Sequence, residues 1–489
     1  MRSGEGRDGA MIQEALADIV GADYVLDDEA ILDHYAGDRS FSTPRKPSWV
    51  VKPRSAAEIQ AIVRWADKTR TPLTPASSGV HFYGACIPQQ GGIILDLGRM
   101  NSILHVDRRN RCVRIEPGVT WAQLRRELKV HGLMPLTPLL PHRSKSALTS
   151  AVEREPMLIP KTEYGEPVLT MEVVLPNGDL FRTGSASVGP PGETQTDLVG
   201  PSGPGIDWYR LFQGAQGTFC VVTWVNMKAA PAPKREKVLF IPFQTMESAV
   251  KPLYAILRRM IGAECFLLNR FNLACILAKT WPADFKALRK KLAPFTLILS
   301  LSGGSILPQE KVDYQEADLK ETAHTHKIKL TDGIPGMERG KGIALLNLLR
   351  SPWEKEPYWK ERFKERCCDI FFYSTMDRIP HFTRLVNKVA SDQGYDINAL
   401  GLYLQPLEGG RACHLEFNFP WNGEDQERIS GLYRTLSTSL AHAGAFFGRP
   451  YGCWSELAYA GNSALTDTLK SLKKILDPHQ ILNPGRLCF

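Results

Sequence analysis

Pro75-Ala76-Ser77-Ser78-Gly79-Val80-His81-Phe82-Tyr83-Gly84, closed by Pro88, decides how the rest of the chain is read. A strand-like run, Thr71-Pro72-Leu73-Thr74, leads into it, and a clearer one, Gly91-Gly92-Ile93-Ile94-Leu95-Asp96-Leu97, leads out. Small residues bounded by prolines let backbone N–H groups converge on an anion without side-chain interference. The stretch therefore reads as a pyrophosphate clamp, against the plainer alternative of an ordinary turn between two strands.

On the N-terminal side, Trp49-Val50-Val51-Lys52-Pro53 reads as a strand, and Ser55-Ala56-Ala57-Glu58 as a capping box opening a helix whose apolar face is Ile59, Ile62, Val63 and Ala66. On the C-terminal side, Ile103-Leu104-His105-Val106 and Cys112-Val113-Arg114-Ile115 form a hairpin pattern. A second capping box at Thr120-Trp121-Ala122-Gln123 opens another helix, which Gly132 stops. An Asn177-Gly178 turn joins Leu169–Leu175 to Leu180–Gly184. From Ser185 to Asp207 the chain is rich in Gly and Pro and reads as a loop.

The 489 residues are too many for one small core, and 43% hydrophobic with 23% charged residues is the balance of a globular protein. No apolar run is long enough to cross a bilayer and no signal peptide is visible, so a cytoplasmic protein is expected. Ten scattered cysteines lack C-x-x-C spacing and read as core thiols, with Cys367-Cys368 the pair to follow. A net charge of +8 is modest, and its densest cluster, Arg108-Arg109-Asn110-Arg111, sits in a turn; nucleic-acid binding is not expected.

With these elements in order, the segment from Trp49 to Gly132 resembles the first flavin-binding half of the vanillyl-alcohol oxidase and p-cresol methylhydroxylase superfamily, with Ala76 and Ser77 where that family commonly has Arg and Gly. Ser146-Ala147-Leu148-Thr149-Ser150-Ala151-Val152-Glu153-Arg154 stands where a second small-residue loop is usual, without its glycines. Leu211–Thr223, containing Gly214-Ala215-Gln216-Gly217-Thr218, resembles the element beside the adenine half, and Asn483-Pro484-Gly485-Arg486 the closing Asn-Pro-Gly-Lys.

The resemblance implies an α+β protein: a two-subdomain FAD-binding domain of the p-cresol methylhydroxylase type over 1–234 (core 45–232), an α+β cap with an antiparallel sheet over 235–445, and a segment, 446–489, returning to the first domain. The stretch 265–360 has no assignable role. FAD is the expected cofactor, held without a covalent link, by Ala76, Ser77, Ser78, Gly79, Val80, His81, Pro138, Ser146, Thr149, Glu153 and Val221. In the phenol-oxidising branch a Tyr-Arg pair holds substrate as phenolate. Matching the chain ends puts Tyr451 on the tyrosine and Gly452 where the arginine would be, with Arg449 near enough to substitute. Gapless alignment puts Glu163 at the family's catalytic carboxylate, and His414 with Glu416, two apart on one strand face, could flank substrate.

The expected reaction is FAD-dependent oxidation of an alcohol or para-substituted phenol by hydride transfer to flavin N5. Two alternatives stay open: a D-2-hydroxy-acid dehydrogenase, and a flavin-binding subunit that has lost catalysis. The histidine-rich metal segment of the hydroxy-acid branch is missing, so no metal is expected. Partners would be a small-molecule substrate, oxygen or a separate electron-acceptor protein, and further copies of the chain in a homo-oligomer.

Overall fold

The computed structural model describes residues 2–159, 167–188, 195–338 and 340–489. Three sheets organise it. In the first, strands Trp49–Val51, Ile93–Asp96 and Leu73–Ala76 run parallel, with Val25–Leu26 antiparallel at the edge. The helix Ala56–Thr69 buries Ile59, Ile62, Val63 and Ala66 against it, the face that the 3.6-residue spacing predicts. Ser55 caps this helix by accepting the Glu58 N–H, but the Glu58 carboxylate turns to the N–H of Arg54 instead of closing the box. Thr120 likewise caps Gln123, whose side chain leaves to bond the Asn101 carbonyl.

The second sheet is antiparallel, in the order Ile103–Asp107, Cys112–Ile115, Val221–Pro231, Val168–Val174, Leu180–Arg182, with Leu133–Pro135 also on Val221–Pro231. Both hairpins expected from the sequence are present in it. The third sheet, also antiparallel, runs Arg235–Phe243, Phe295–Gly303, Cys265–Asn269, Gly401–Leu407, Ala412–Trp421, Arg366–Ser374. Helices Met246–Arg258, Ile379–Asp392 and Gln426–His442 cover one face, burying Ile370, Phe372, Leu415, Phe417, Leu402 and Leu404. The opposite face carries the polar residues described below.

The chain end returns to the first sheet. Leu73 N–H donates to the Ile481 carbonyl at 2.7 Å and Asn483 N–H to the Leu73 carbonyl at 2.8 Å. The Asn483 amide donates to the carbonyls of Ala85 and Gln216, and Arg486 to those of Gly84 and Ile87, so the last turn clamps the far side of the loop that opens at Pro75. In the preceding helix, Ser463–Leu476, the sequence spacing of Leu465, Leu469, Leu472 and Ile475 predicts the buried stripe, yet Leu465 and Ile475 face solvent. Its inner side uses Leu472 and Leu476, with buried Lys473 donating to Asp477 and to the carbonyls of Thr218 and Leu482. A polar side chain at the centre of the buried face breaks the apolar stripe, because backbone acceptors await it. Among the described residues, no helix is long and apolar enough to cross a membrane.

Candidate active site

Between the first two sheets lies a cleft of about 1040 Å³, part of it open to solvent. One wall is the loop after Leu73–Ala76: Ala76, Ser77, Val80 and His81 line it. The facing wall is the short helix Ala147–Val152 with the turn at its C-terminal end: Thr149, Ser150, Glu153 and Glu155. The Ser77 and Thr149 hydroxyls hydrogen-bond each other across the gap. The far end is closed by Phe212, Cys220 and Val222. An extended dinucleotide fits this space on two observations. The facing walls carry the small side chains of Ala76, Ser77, Val80, Thr149 and Ser150, and the lining His81 has an Nε2 atom buried without a partner.

At its other end the cleft meets a chamber under the third sheet, walled by Tyr83, Tyr358, Lys360, Asp369, Glu416 and Arg449. Strand pairing explains how these residues meet. Asp369 pairs with Asn418 and Phe371 with Glu416, while Gly401 and Tyr403 flank Asn418 and Glu416 on the third strand, so alternation places all of them on the face away from the helices. Gly401 is required there: a Cβ would stand 2.2 Å from the side-chain oxygen of Asn272, whose amide nitrogen donates to Asn418 Oδ1.

Lys360 Nζ donates to Asp369 Oδ2 at 2.5 Å and to Glu416 Oε1 at 2.7 Å, and Asn418 Nδ2 bridges Asp369 Oδ1 and Glu416 Oε1 at 2.7 Å each. Burial opposes charge on Lys360, but Asp369 and Glu416 outweigh it and hold the ammonium well above its usual range. The two carboxylates are not equivalent. Burial raises Asp369, whereas for Glu416 the same burial is outweighed by Lys360 and His414, which hold it well below the carboxylate range.

Arg449 is 6% exposed, and its guanidinium lies 4.4 Å from the Phe371 ring centroid and 5.8 Å from those of Tyr83 and Tyr451. Among the described residues it has no carboxylate within ion-pair distance, and its Nε lacks a partner. Tyr451 stacks on Tyr83 with centroids 5.0 Å apart and donates its hydroxyl to Glu153 at 2.7 Å. Burial raises Glu153. Glu155 is lowered: burial acts upward, but Lys145, at 2.7 Å, and Arg449 act harder in the other direction.

The structure thus brings Ala76, Ser77, Val80, His81, Thr149, Glu153, Arg449 and Tyr451 to one cleft. Ser78 and Gly79 lie in the same loop without lining it, and Pro138 borders the chamber instead. Ser146 is the cap of the Ala147–Val152 helix, its hydroxyl donating to the Pro117 carbonyl. Val221 packs into the core under the first sheet while its neighbours Cys220 and Val222 line the cleft, a matter of strand alternation. His414 sits behind the chamber wall with Nε2 3.4 Å from Glu416. Glu163 lies outside the described residues. Sequence reasoning missed Lys360, Tyr358 and the chamber role of Tyr83. Lys360 belongs to the stretch without assignable pattern, and a lone lysine carries no local signal of burial.

Residues 47–184 match the FAD binding domain family and 454–487 the C-terminal domain of the FAD linked oxidases. Glycolate oxidase subunit GlcD of Bacillus subtilis (strain 168) is 24% identical over 497 aligned residues, covering 97% of this chain and 96% of the relative. The structure of p-cresol methylhydroxylase with substrate bound matches with a TM-score of 0.85 at 19% identity, over 100% of this chain and 97% of that one. That of 4-ethylphenol oxidase from Gulosibacter chungangensis, in complex with isoeugenol, matches at 0.82 and 20% identity, over 99% and 97%. With its cleft, its two matching segments and these relatives, the chain is an FAD-linked oxidoreductase on the fold of p-cresol methylhydroxylase.

Proposed function

We propose that the protein oxidises an alcohol-bearing aromatic or a para-substituted phenol, the substrate oxygen resting on Arg449. The observation that carries this reading is a buried guanidinium that makes no contact ion pair among the described residues, with Glu155 acting on it only at longer range, set among the rings of Tyr83, Phe371 and Tyr451. An unpaired buried cation is costly, and a phenolate would neutralise it while its ring packs on the aromatic walls. When bound, FAD supplies the hydride acceptor at N5. Arg449 favours the ionised oxygen; Tyr451, fixed by Glu153, and stacked Tyr83 orient the ring; Tyr358, held by the Leu140 carbonyl, helps keep water out.

A D-2-hydroxy acid is the second reading, favoured by the full-length likeness to the glycolate oxidase subunit and by the three cations Lys145, Lys360 and Arg449 on the chamber wall. Its carboxylate would satisfy Arg449 but leave the aromatic walls unfilled. Anaerobic mixing of the FAD-loaded protein with 4-alkylphenols, benzylic alcohols and D-2-hydroxy acids separates the two. Bleaching of the visible flavin band by the aromatic series supports the first reading, and bleaching by hydroxy acids alone overturns it.

A further inference from the structure

Asp369 and its neighbours do more than wall the chamber. The same carboxylate also lines a second chamber of about 1320 Å³ on the other side of the Tyr83 ring. This outer chamber reaches the surface at Arg434, Thr438 and Glu456, which are exposed, and is bordered by the hydroxyls of Ser40, Ser42 and Ser430. Tyr83, whose ring stacks on Tyr451 in the cleft, points its hydroxyl at Asp369 Oδ2, 3.5 Å away. That is long for a hydrogen bond, as contacts of a catalytic group often are before substrate tightens them.

We infer that Tyr83 and Asp369 form a proton exit from the substrate oxygen to the outer chamber, with Lys360 the positioning residue that fixes Asp369 in line. The inference rests on the proposed oxidation of a phenol or alcohol. As the substrate O–H bond breaks, its proton passes to the Tyr83 oxygen while the Tyr83 proton passes to Asp369 Oδ2. The electron pair stays on the substrate oxygen beside Arg449, and Asp369 then releases the proton to solvent in the outer chamber. Atoms and charge balance without a further reactant, the hydride going to the flavin as in the proposed reaction.

Geometry makes Asp369, and not Glu416, the carrier. Both carboxylates accept from Lys360 and Asn418, but Glu416 turns its other oxygen to His414 and does not border the outer chamber. Asp369 is the carboxylate that faces both chambers and Tyr83. The groups that set its charge come from every side: Lys360, and Glu416 with His414 behind it, from the cap; Tyr83 from the flavin loop; Tyr358 and Tyr433 beyond; and the Cys367 thiol at 3.8 Å on its own strand. Their sum raises Asp369, burial first, which suits a group that must take a proton and give it up.

The test is anaerobic single-turnover reduction of the FAD-loaded protein by a 4-alkylphenol in water and in deuterium oxide. Asp369→Asn and Tyr83→Phe should each slow reduction about 100-fold, the scale of lost proton transfer, at unchanged flavin content. Added formate should recover part of the Asp369→Asn rate, and Thr438→Trp in that background should abolish the recovery by blocking the outer chamber. Should Asp369→Asn fold poorly, Asp369→Glu keeps the acid and should stay within about tenfold of wild type with a shifted pH profile. Wild-type rates in Asp369→Asn, or a slow variant that no formate concentration restores, would overturn the relay while leaving the substrate reading intact. A wild-type protein that no phenol or alcohol bleaches overturns the substrate reading and the relay with it.

Discussion

The flavin cleft and the chamber beneath the cap sheet adjoin at Tyr83 and Arg449, yet they are built on opposite principles. The cleft takes most of its lining from two short consecutive stretches, 75–86 and 145–155, in which small neutral side chains outnumber the charged Lys145, Glu153 and Glu155 and one hydroxyl pair, Ser77 with Thr149, ties the two together. The chamber is a dense charged lattice whose members come from distant parts of the chain: Tyr83 and Asp369 are 286 residues apart, Lys360 and Glu416 56 apart. A cofactor with many contacts tolerates loss of any one of them. A reaction centre that separates one proton from one oxygen does not, so single changes should cost far more in the chamber than in the cleft.

The largest effect is expected at Lys360. Lys360→Met leaves two carboxylates facing each other without their cation, and breaking a buried pair in this way costs about 3–5 kcal/mol, read as a drop in the denaturation midpoint. The sign with pH comes from the shifts. Lys360 is what holds Glu416 down, so without it the native carboxylates bind protons more readily than the unfolded ones, whose pKa values lie near 4. Stability of the variant should therefore fall as pH rises from about 5 to 8 relative to wild type, and the deficit should shrink in acid. A constant deficit across that range would mean that Lys360 contributes packing alone.

Arg449→Met comes next. Loss of the guanidinium at the substrate oxygen should lower kcat/KM by about 10²–10³ while FAD content, measured by absorbance after gel filtration, stays at wild-type level. In the cleft, Ser77→Ala removes half of the hydroxyl bridge and should cost about 1 kcal/mol, seen as no more than a tenfold weakening of FAD in an apoprotein titration. A hundredfold loss there would erase the contrast between the two regions. Smallest of all, Ile475→Ser on the closing helix should move stability by no more than about 0.5 kcal/mol, because Ile475 is 76% exposed despite its place in the apparent apolar stripe.

The same contrast governs what the sequence discloses. The strands around the loop, both hairpins and the helix Ala56–Thr69 follow from periodicity and turn residues, and cleft residues such as Ala76, Ser77 and Thr149 are legible because each sits inside a continuous motif. Where parity or face decides, reading stops short: Val221 instead of Cys220 and Val222, Ile475 instead of Leu476, Ser146 as a helix cap. Lys360 and Tyr358 precede the strand Arg366–Ser374 in a stretch with no regular pattern. Their place is set by long-range strand pairing and by burial against partners that local sequence cannot reveal. Arg449 is within reach only because the chain end resembles a known pattern, and the sequence does not single out Asp369 at all.

The central claim is that Arg449 holds an ionised oxygen in the chamber beside the flavin. Binding of 4-nitrophenol to the FAD-loaded protein tests it most directly, since the absorbance of this ligand reports its own ionisation. The account predicts that the bound ligand remains phenolate well below its solution pKa in the wild-type protein, and that Arg449→Met returns its titration to the solution value. A ligand that binds as the neutral phenol, or that titrates identically in both proteins, would contradict it.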